Sequence, residues 1–101
     1  MTKQINQRDA EHYIATRQEF KASALTGSTY SLGAGRLSGA ELDKFCDEVN
    51  FLKYAVYSYG TPIAWFNIGG WYIVEQKFSV TTSKHQNAVK RAISSELVGA
   101  N

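Results

Sequence analysis

The residues with the most chemical potential lie in the stretch FSVTTSKHQNAV, which covers positions 78–89. Hydroxyl, amide and basic side chains surround His85, and imidazole is the side chain whose charge changes near neutral pH. We expect these groups to meet the end of a preceding strand and to share one hydrogen-bond network there. The predicted members of this network are Ser58, Thr61, Thr81, Thr82, Ser83, His85 and Gln86.

Two explanations of this cluster are open. In the structural one, Ser83 and Gln86 have the S-x-x-Q spacing of a capping box, so that Ser83 caps the last helix. His85 then lies one turn before Val89 on the buried side of that helix, where its nitrogens need polar partners. In the functional one, the cluster is concave and open, and either the helix N-terminus accepts an anion or His85 acts as an acid or base.

Other catalytic and metal-binding patterns are missing from the sequence. The two histidines and the single cysteine, Cys46, do not have the spacing of a zinc site. There is no nucleophile elbow, and LGAGRLSG is neither a Walker loop nor a dinucleotide fingerprint. We therefore expect no metal, no cofactor and no enzymatic activity.

The composition is typical of one small globular domain. The chain has 101 residues, of which 44% are apolar and 20% are charged, and its formal net charge is +2. This charge is far below that of a protein that depends on phosphate contacts. One cysteine cannot form an internal disulfide, and the sequence shows neither a signal peptide nor a membrane-spanning run. We expect a single domain over residues 1–101, located in the cytoplasm.

Three helices are predicted from apolar periodicity and capping signals. The first covers about 7–20 and follows the cap residue Asn6. The second covers about 39–49 and opens on a capping box of the form S-x-x-E. The third begins after Thr82 and ends near Leu97.

Consecutive strands are predicted between the second and third helices, at about 54–59, 63–66, 71–74 and 78–80, with a hairpin turn at Gly69-Gly70. Pro62 cannot donate a ladder hydrogen bond, so it must lie at a strand start, an edge or a bulge.

The glycine-rich segment 21–37 is either a loop or a weak hairpin with strands at 22–25 and 29–32. The expected fold is α+β, with an antiparallel meander of three to four strands packed on one face by the C-terminal helix. Two further helices lie N-terminal to the meander, and the sheet and the last helix form two layers.

Two surfaces are candidates for binding. Aromatic side chains on an open sheet face are typical anchors of protein interfaces. The candidates there are Tyr57, Tyr59, Trp65 and Trp71. The outer face of the last helix carries bases and amides of the kind that contact phosphates and base edges. The candidates there are Lys84, Gln86, Asn87, Lys90 and Arg91. Burial in the core and an ordinary solvated face are the simpler explanations of the two sets.

Residues 54–93 resemble a family of small proteins of tailed bacteriophages and related mobile elements, described as a domain of unknown function. The resemblance rests on VYSYGTPIAW at 56–65, on Trp71, and on FSVTTSKHQNAV at 78–89. The family patterns are S-Y-x-T-P-I-A-W and Y-S-x-T-T-S-x-H-Q, and Phe78 replaces the tyrosine of the second. The resemblance implies a viral or prophage origin, and it brings no established reaction and no catalytic residue.

These observations favour a non-enzymatic phage accessory protein that binds a host macromolecule. We predict a host protein as the partner, as for a host-takeover protein or an inhibitor, and no membrane partner. The alternative is a small nucleic-acid-binding protein that uses the basic face of the last helix. The third hypothesis is an enzyme or ligand-binding domain centred on His85.

Overall fold

The computed structural model describes residues 3–6 and 9–99, and its strands form one six-stranded sheet in chain order. The strands are β1 (Lys3–Gln4), β2 (Phe20–Ala22), β3 (Leu25–Ser28), β4 (Tyr54–Ser58), β5 (Thr61–Asn67) and β6 (Gly70–Ile73). β1 runs parallel to β2, and every other neighbouring pair is antiparallel. The antiparallel meander therefore has five strands, where the sequence predicted three to four.

Three α-helices accompany this sheet in the described part of the chain. They are α1 (Ala10–Ala15), α2 (Gly39–Glu48) and α3 (Val80–Gly99), and a short 3-10 turn follows α2 at Val49–Phe51. The α+β class and the C-terminal helix are thus confirmed. The second helix lies where its apolar periodicity placed it.

The first helix is much shorter than the predicted 7–20, of which residues 7 and 8 lie outside the described residues. Arg17 adopts the left-handed conformation with φ of 55°, and its N–H donates to the carbonyl of Ile14. The N–H of Gln18 donates to the carbonyl of Tyr13, which completes a Schellman motif and ends the helix. Phe20, expected on the helix, begins β2 instead.

The glycine-rich segment contains part of a hairpin, shifted from the predicted positions. β2 and β3 are joined by Ser23 and Ala24, and Ser23 has a positive φ of 58°, as the first central residue of a type II′ turn requires. The predicted strand at 29–32 is wrong, because β3 has already ended at Ser28.

The start of α3 also differs from the prediction. Residues 78–80 form no strand, since the helix begins at Val80. Ser79 Oγ accepts a hydrogen bond of 3.1 Å from the N–H of Thr82, which is the geometry of an N-cap. The predicted cap, Ser83, therefore lies within the first turn, where its N–H donates to the carbonyl of Ser79.

Both faces of the sheet are covered, so the expected two layers are in fact three. α1 and α3 pack on one face, around a cluster that includes Tyr54, Val56 and Ile93. α2 packs on the other face, where the rings of Phe45 and Trp65 lie 5.1 Å apart. As a result, every residue of β4 is buried.

Pro62 lies beside a β-bulge, which is one of the three positions predicted for it. Val56 pairs with Ala64 and Tyr57 pairs with Pro62, so that Ile63 is an extra residue in β5. Ile63 and Ala64 consequently both belong to the core beneath α1 and α3.

Candidate functional site

A buried polar junction joins the end of β4 to the first turns of α3. Ser58 Oγ lies 2.6 Å from Nδ1 of His85 and 3.2 Å from Oγ1 of Thr82. Thr82 Oγ1 also accepts a 3.1 Å hydrogen bond from the hydroxyl of Ser79. Ser58, Thr82 and His85 are each less than 5% exposed, so the junction lies inside the protein.

The environment of His85 favours its neutral form. Burial lowers the pKa of this imidazole, because the charged form would lose its solvation. Nδ1 bonds to Ser58, and every fully buried side-chain nitrogen or oxygen of the described residues has a partner. The other ring nitrogen, Nε2, has no partner among those residues and therefore reaches the protein surface.

This geometry does not give Ser58 the properties of a nucleophile. The hydroxyl is 1% exposed, and no described carboxylate hydrogen-bonds to His85 to orient it as a base. Neither residue lines the cavity beside Tyr13, the groove beside Lys90 or the cavity beside Trp71. Among residues 3–6 and 9–99, no group of three His, Cys, Asp or Glu side chains is placed to hold a metal ion.

The other predicted members of the network have different partners. Thr61 Oγ1 accepts a 3.0 Å hydrogen bond from the N–H of Arg36, in the loop before α2. The amide nitrogen of Gln86 donates to the carbonyls of Val74 and Gln76 at 2.9 and 3.0 Å. Thr81 is exposed and Ser83 is half-buried, and neither side chain joins the junction.

Tyr59 lies directly beside the junction and faces solvent. Tyr59 and Gly60 form the two-residue turn between β4 and β5, with φ values of 52° and 79°, as a type I′ turn requires. The tyrosine ring is 6.2 Å from the imidazole of His85 and tilted by 31° to it. Tyr59 is still 61% exposed, so its ring forms part of the surface above the junction.

The other aromatic candidates do not form an open surface. Tyr57 is 1% exposed and its hydroxyl accepts the N–H of Leu32, while Trp65 is fully buried. Trp71 is half-buried and packs against Tyr54. The prediction of an aromatic sheet face fails for Tyr57 and Trp65 because α2 and its preceding loop cover that face.

The basic candidates on α3 are largely engaged within the protein. Lys90 Nζ is 3.5 Å from the carboxylate of Glu75, and the guanidinium of Arg91 is 3.0 Å from that of Glu11. Gln86 is buried and bonds to backbone carbonyls, so it is not part of the outer face. The remaining candidates, Lys84 and Asn87, are exposed.

Residues 8–97 match the sequence profile of DUF8033, a family of unknown function. The chain belongs to this family. The match extends well beyond the C-terminal half in which the motif resemblance was found, and it includes α1 and α2 as well as the junction. No curated protein and no solved structure matches the chain.

Two residues that hold this DUF8033 fold together were missed at the level of sequence. Ser79 caps α3, and its spacing to Thr82 is the same as that of the Ser83–Gln86 pair that was chosen instead. Glu48, on α2, accepts hydrogen bonds from Trp65 Nε1 at 3.0 Å and Asn67 Nδ2 at 2.7 Å.

Burial acts to raise the pKa of Glu48, but the bonds from Lys44, Trp65 and Asn67 outweigh it and lower the pKa. Glu48 is therefore a charged acceptor for two side chains of β5. No helix of the described DUF8033 residues has the length and apolar character needed to cross a membrane.

Proposed function

We propose that this chain is a non-enzymatic accessory protein of a phage or prophage that binds a host protein in the host cytoplasm, through a surface centred on Tyr59. One observation carries the proposal. Tyr59 is a bulky residue in the left-handed backbone region, and it is 61% exposed beside a buried hydrogen-bonded junction. Exposed tyrosines in such settings are typical anchors of protein interfaces.

The turn itself gives no reason for a tyrosine at this position. A non-glycine residue held at positive φ costs of order 1–3 kcal/mol, and Asn-Gly is the sequence that a type I′ turn favours. An asparagine in place of Tyr59 would therefore form the same hairpin with less strain. Strained residues cluster at functional sites, so the exposed ring is the feature that needs a functional explanation.

The contact with His85 prepares the ring for binding. The imidazole is fixed by Ser58, and the tyrosine ring packs on it at 6.2 Å. A side chain that is already restrained loses less conformational freedom when a partner binds. Tyr59 is in this sense preorganised, which supports its role as the centre of the surface.

The proposed phage origin rests on the two motifs of the resemblance. Residues of both motifs contact one another at the buried junction. VYSYGTPIAW supplies Ser58 and Tyr59, and FSVTTSKHQNAV supplies Thr82 and His85. Both motifs thus build the junction and the ring above it. A surface of this kind suits a family in which partner binding, rather than a reaction, is the shared property.

The test is quantitative capture from bacterial lysate with the tagged full chain, analysed by mass spectrometry and followed by direct titration of each captured protein. The decisive variant is Tyr59→Asn, which removes the ring and keeps the turn. The matched control is Ile68→Asn, because Ile68 is a 90% exposed apolar residue of the hairpin turn at the opposite end of β5.

We expect a partner that binds the wild type and Ile68→Asn but binds Tyr59→Asn at least about tenfold more weakly, as for loss of an anchor residue. A partner that is lost with Ile68→Asn and kept with Tyr59→Asn would place the surface at the other end of the sheet and contradict the proposal.

Nucleic-acid binding is the alternative, and the small formal net charge of +2 gives it little support. An anisotropy titration with duplex and single-stranded DNA and RNA at two salt concentrations decides the matter. Binding that weakens steeply with salt and is lost in Lys84→Ala would replace protein binding as the function.

A further inference from the structure

A second surface feature lies along α3, and neither Tyr59 nor His85 is among its lining residues. The segment that follows β6 runs alongside the first three turns of α3, and a groove of about 150 Å³ lies between them. Val74 is the one apolar residue among those that line the groove. The lining residues are Val74, Glu75, Lys77, Ser83, Gln86, Asn87 and Lys90.

Gln86 gives this groove an acceptor without a partner. Its side chain is 7% exposed, and both hydrogens of its Nε2 are used, in bonds to the carbonyls of Val74 and Gln76. These two bonds fix which end of the amide is the oxygen, because carbonyls accept only from the nitrogen. Oε1 has no partner among the described residues and is not a fully buried atom, so it faces the groove.

The charges around the groove are basic in excess. Lys77 and Lys90 both line it, and Glu75 is the one carboxylate among the lining residues. The Lys90–Glu75 contact is long, at 3.5 Å, and both side chains are well exposed. An exposed pair of this kind is weak and can be opened by a competing carboxylate. Lys77 forms no ion pair with any described residue.

We propose that the groove binds an acidic side chain of an extended peptide segment of the partner protein. The carboxylate would be bound by Lys77 and Lys90, and a peptide N–H beside it would donate to Oε1 of Gln86. Sulfate or chloride fits less well, because neither brings a hydrogen-bond donor for Oε1. This inference rests on the proposed function, since it names the chemistry by which the partner is recognised at a second surface.

The test is a titration of the full chain followed by amide NMR, with the capped peptide Ac-Ala-Asp-Ala-NH2 as probe. Ac-Ala-Asn-Ala-NH2 is the matched control, because it has the same shape without the charge. We expect the side-chain NH2 signals of Gln86 and Asn87 to shift with the first peptide, with a dissociation constant in the millimolar range. The second peptide should leave them in place.

Three charge variants sharpen the test. Lys77→Gln and Lys90→Gln should each weaken binding of the acidic peptide, roughly three- to tenfold, because each removes a charge-assisted contact. Lys84→Gln, on the exposed face of the same helix but outside the groove, should bind as the wild type does. Glu75→Gln should strengthen binding, because it removes the competing carboxylate.

The inference is overturned if the acidic peptide shifts neither signal at about 10 mM, if both peptides act alike, or if Lys84→Gln weakens binding as much as Lys90→Gln. Glu75→Gln binding more weakly would also overturn it. The titration needs no host protein, so its failure leaves capture through Tyr59 standing. Conversely, a partner that binds Tyr59→Asn as tightly as the wild type would contradict the proposed function, and it would leave the inference about the groove unaffected.

Discussion

Ser58 Oγ lies 2.6 Å from Nδ1 of His85, although the two residues are 27 positions apart in the chain. The contact joins the last residue of β4 to the second turn of α3, both residues are buried, and the ring of Tyr59 lies beside the imidazole. Since a buried hydrogen bond has a strict geometry, this pair fixes where α3 crosses the sheet.

Removal of the Ser58 hydroxyl should therefore destabilise the fold. Ser58→Ala leaves Nδ1 of His85 without its partner, which costs about 1–3 kcal/mol for a buried polar group. Urea denaturation gives the free energy of unfolding, and a double-mutant cycle with His85→Ala should show a coupling of at least about 0.5 kcal/mol. Thr81→Ala is the control and should stay within about 0.5 kcal/mol of the wild type, because Thr81 is exposed. Additive effects of the two junction variants would show that the pair is not coupled.

The same pair makes stability depend on pH. Burial lowers the pKa of His85 in the folded protein below the ordinary value of 6.5. The unfolded chain therefore binds a proton first as the pH falls. The contribution of neutral His85 is complete above the unfolded-state pKa, and it is lost as the pH falls below that value towards the folded-state pKa.

We expect the unfolding midpoint in urea to fall between pH 7 and pH 5 in the wild type. The fall should be smaller in His85→Gln, where this titration is absent. An identical profile in wild type and His85→Gln would show that His85 does not titrate differently on folding.

The cap of α3 provides a direct choice between sequence and structure. Ser79→Ala removes the hydroxyl that accepts a hydrogen bond from the N–H of Thr82 and donates one to the Thr82 hydroxyl. The substitution should therefore lower the free energy of unfolding by about 1 kcal/mol. Ser83→Ala should have little effect, because Ser83 lies inside the first turn and its hydroxyl caps nothing. The reverse order of the two effects in urea denaturation would place the helix start at Ser83 after all.

This cap shows why the helix start could not be read from the sequence. Both Ser79–Thr82 and Ser83–Gln86 have the spacing of an N-terminal cap, and spacing alone favours the pair with the glutamine. What decides between them is the tertiary structure. The N–H of Ser83, which a capping box would donate to Gln86, already donates to the carbonyl of Ser79, and Nε2 of Gln86 donates to the carbonyls of Val74 and Gln76. The spacing of residues along the sequence does not reveal a competing hydrogen bond to another segment of the chain.

The sheet shows the same limit at a larger scale. Strand alternation places Tyr54 and Val56 on one face of β4 and Tyr57 on the other, as observed, whereas the turn predicted at Gly69-Gly70 lies one residue earlier, at Ile68-Gly69. Whether the second face of the sheet is covered depends on where α2 packs. The amphipathic pattern of α2 shows that one side of this helix is buried, but it does not show which surface that side contacts. Trp65 was therefore proposed as a surface anchor although Phe45 covers it.

Tyr59 remained exposed for a reason that is local: it lies in a two-residue turn, beyond the last paired residue of β4. That position also yields the last prediction. In Tyr59→Asn the residue can adopt positive φ more readily, so the hairpin should be as stable as in the wild type or more stable, by up to about 1 kcal/mol. Tyr59→Gly should behave similarly, whereas Tyr59→Ala keeps the strain and loses the ring contact with His85, and should be less stable than either.

Thermal and urea unfolding of the three variants measure this order directly. If Tyr59→Asn unfolds more easily than Tyr59→Ala, the ring contributes more to the fold through His85 than the backbone strain costs. A structural role would then explain the tyrosine. If the order is as expected, the chain keeps a less stable turn in order to present an aromatic ring to solvent, and only an interaction outside the fold accounts for that choice.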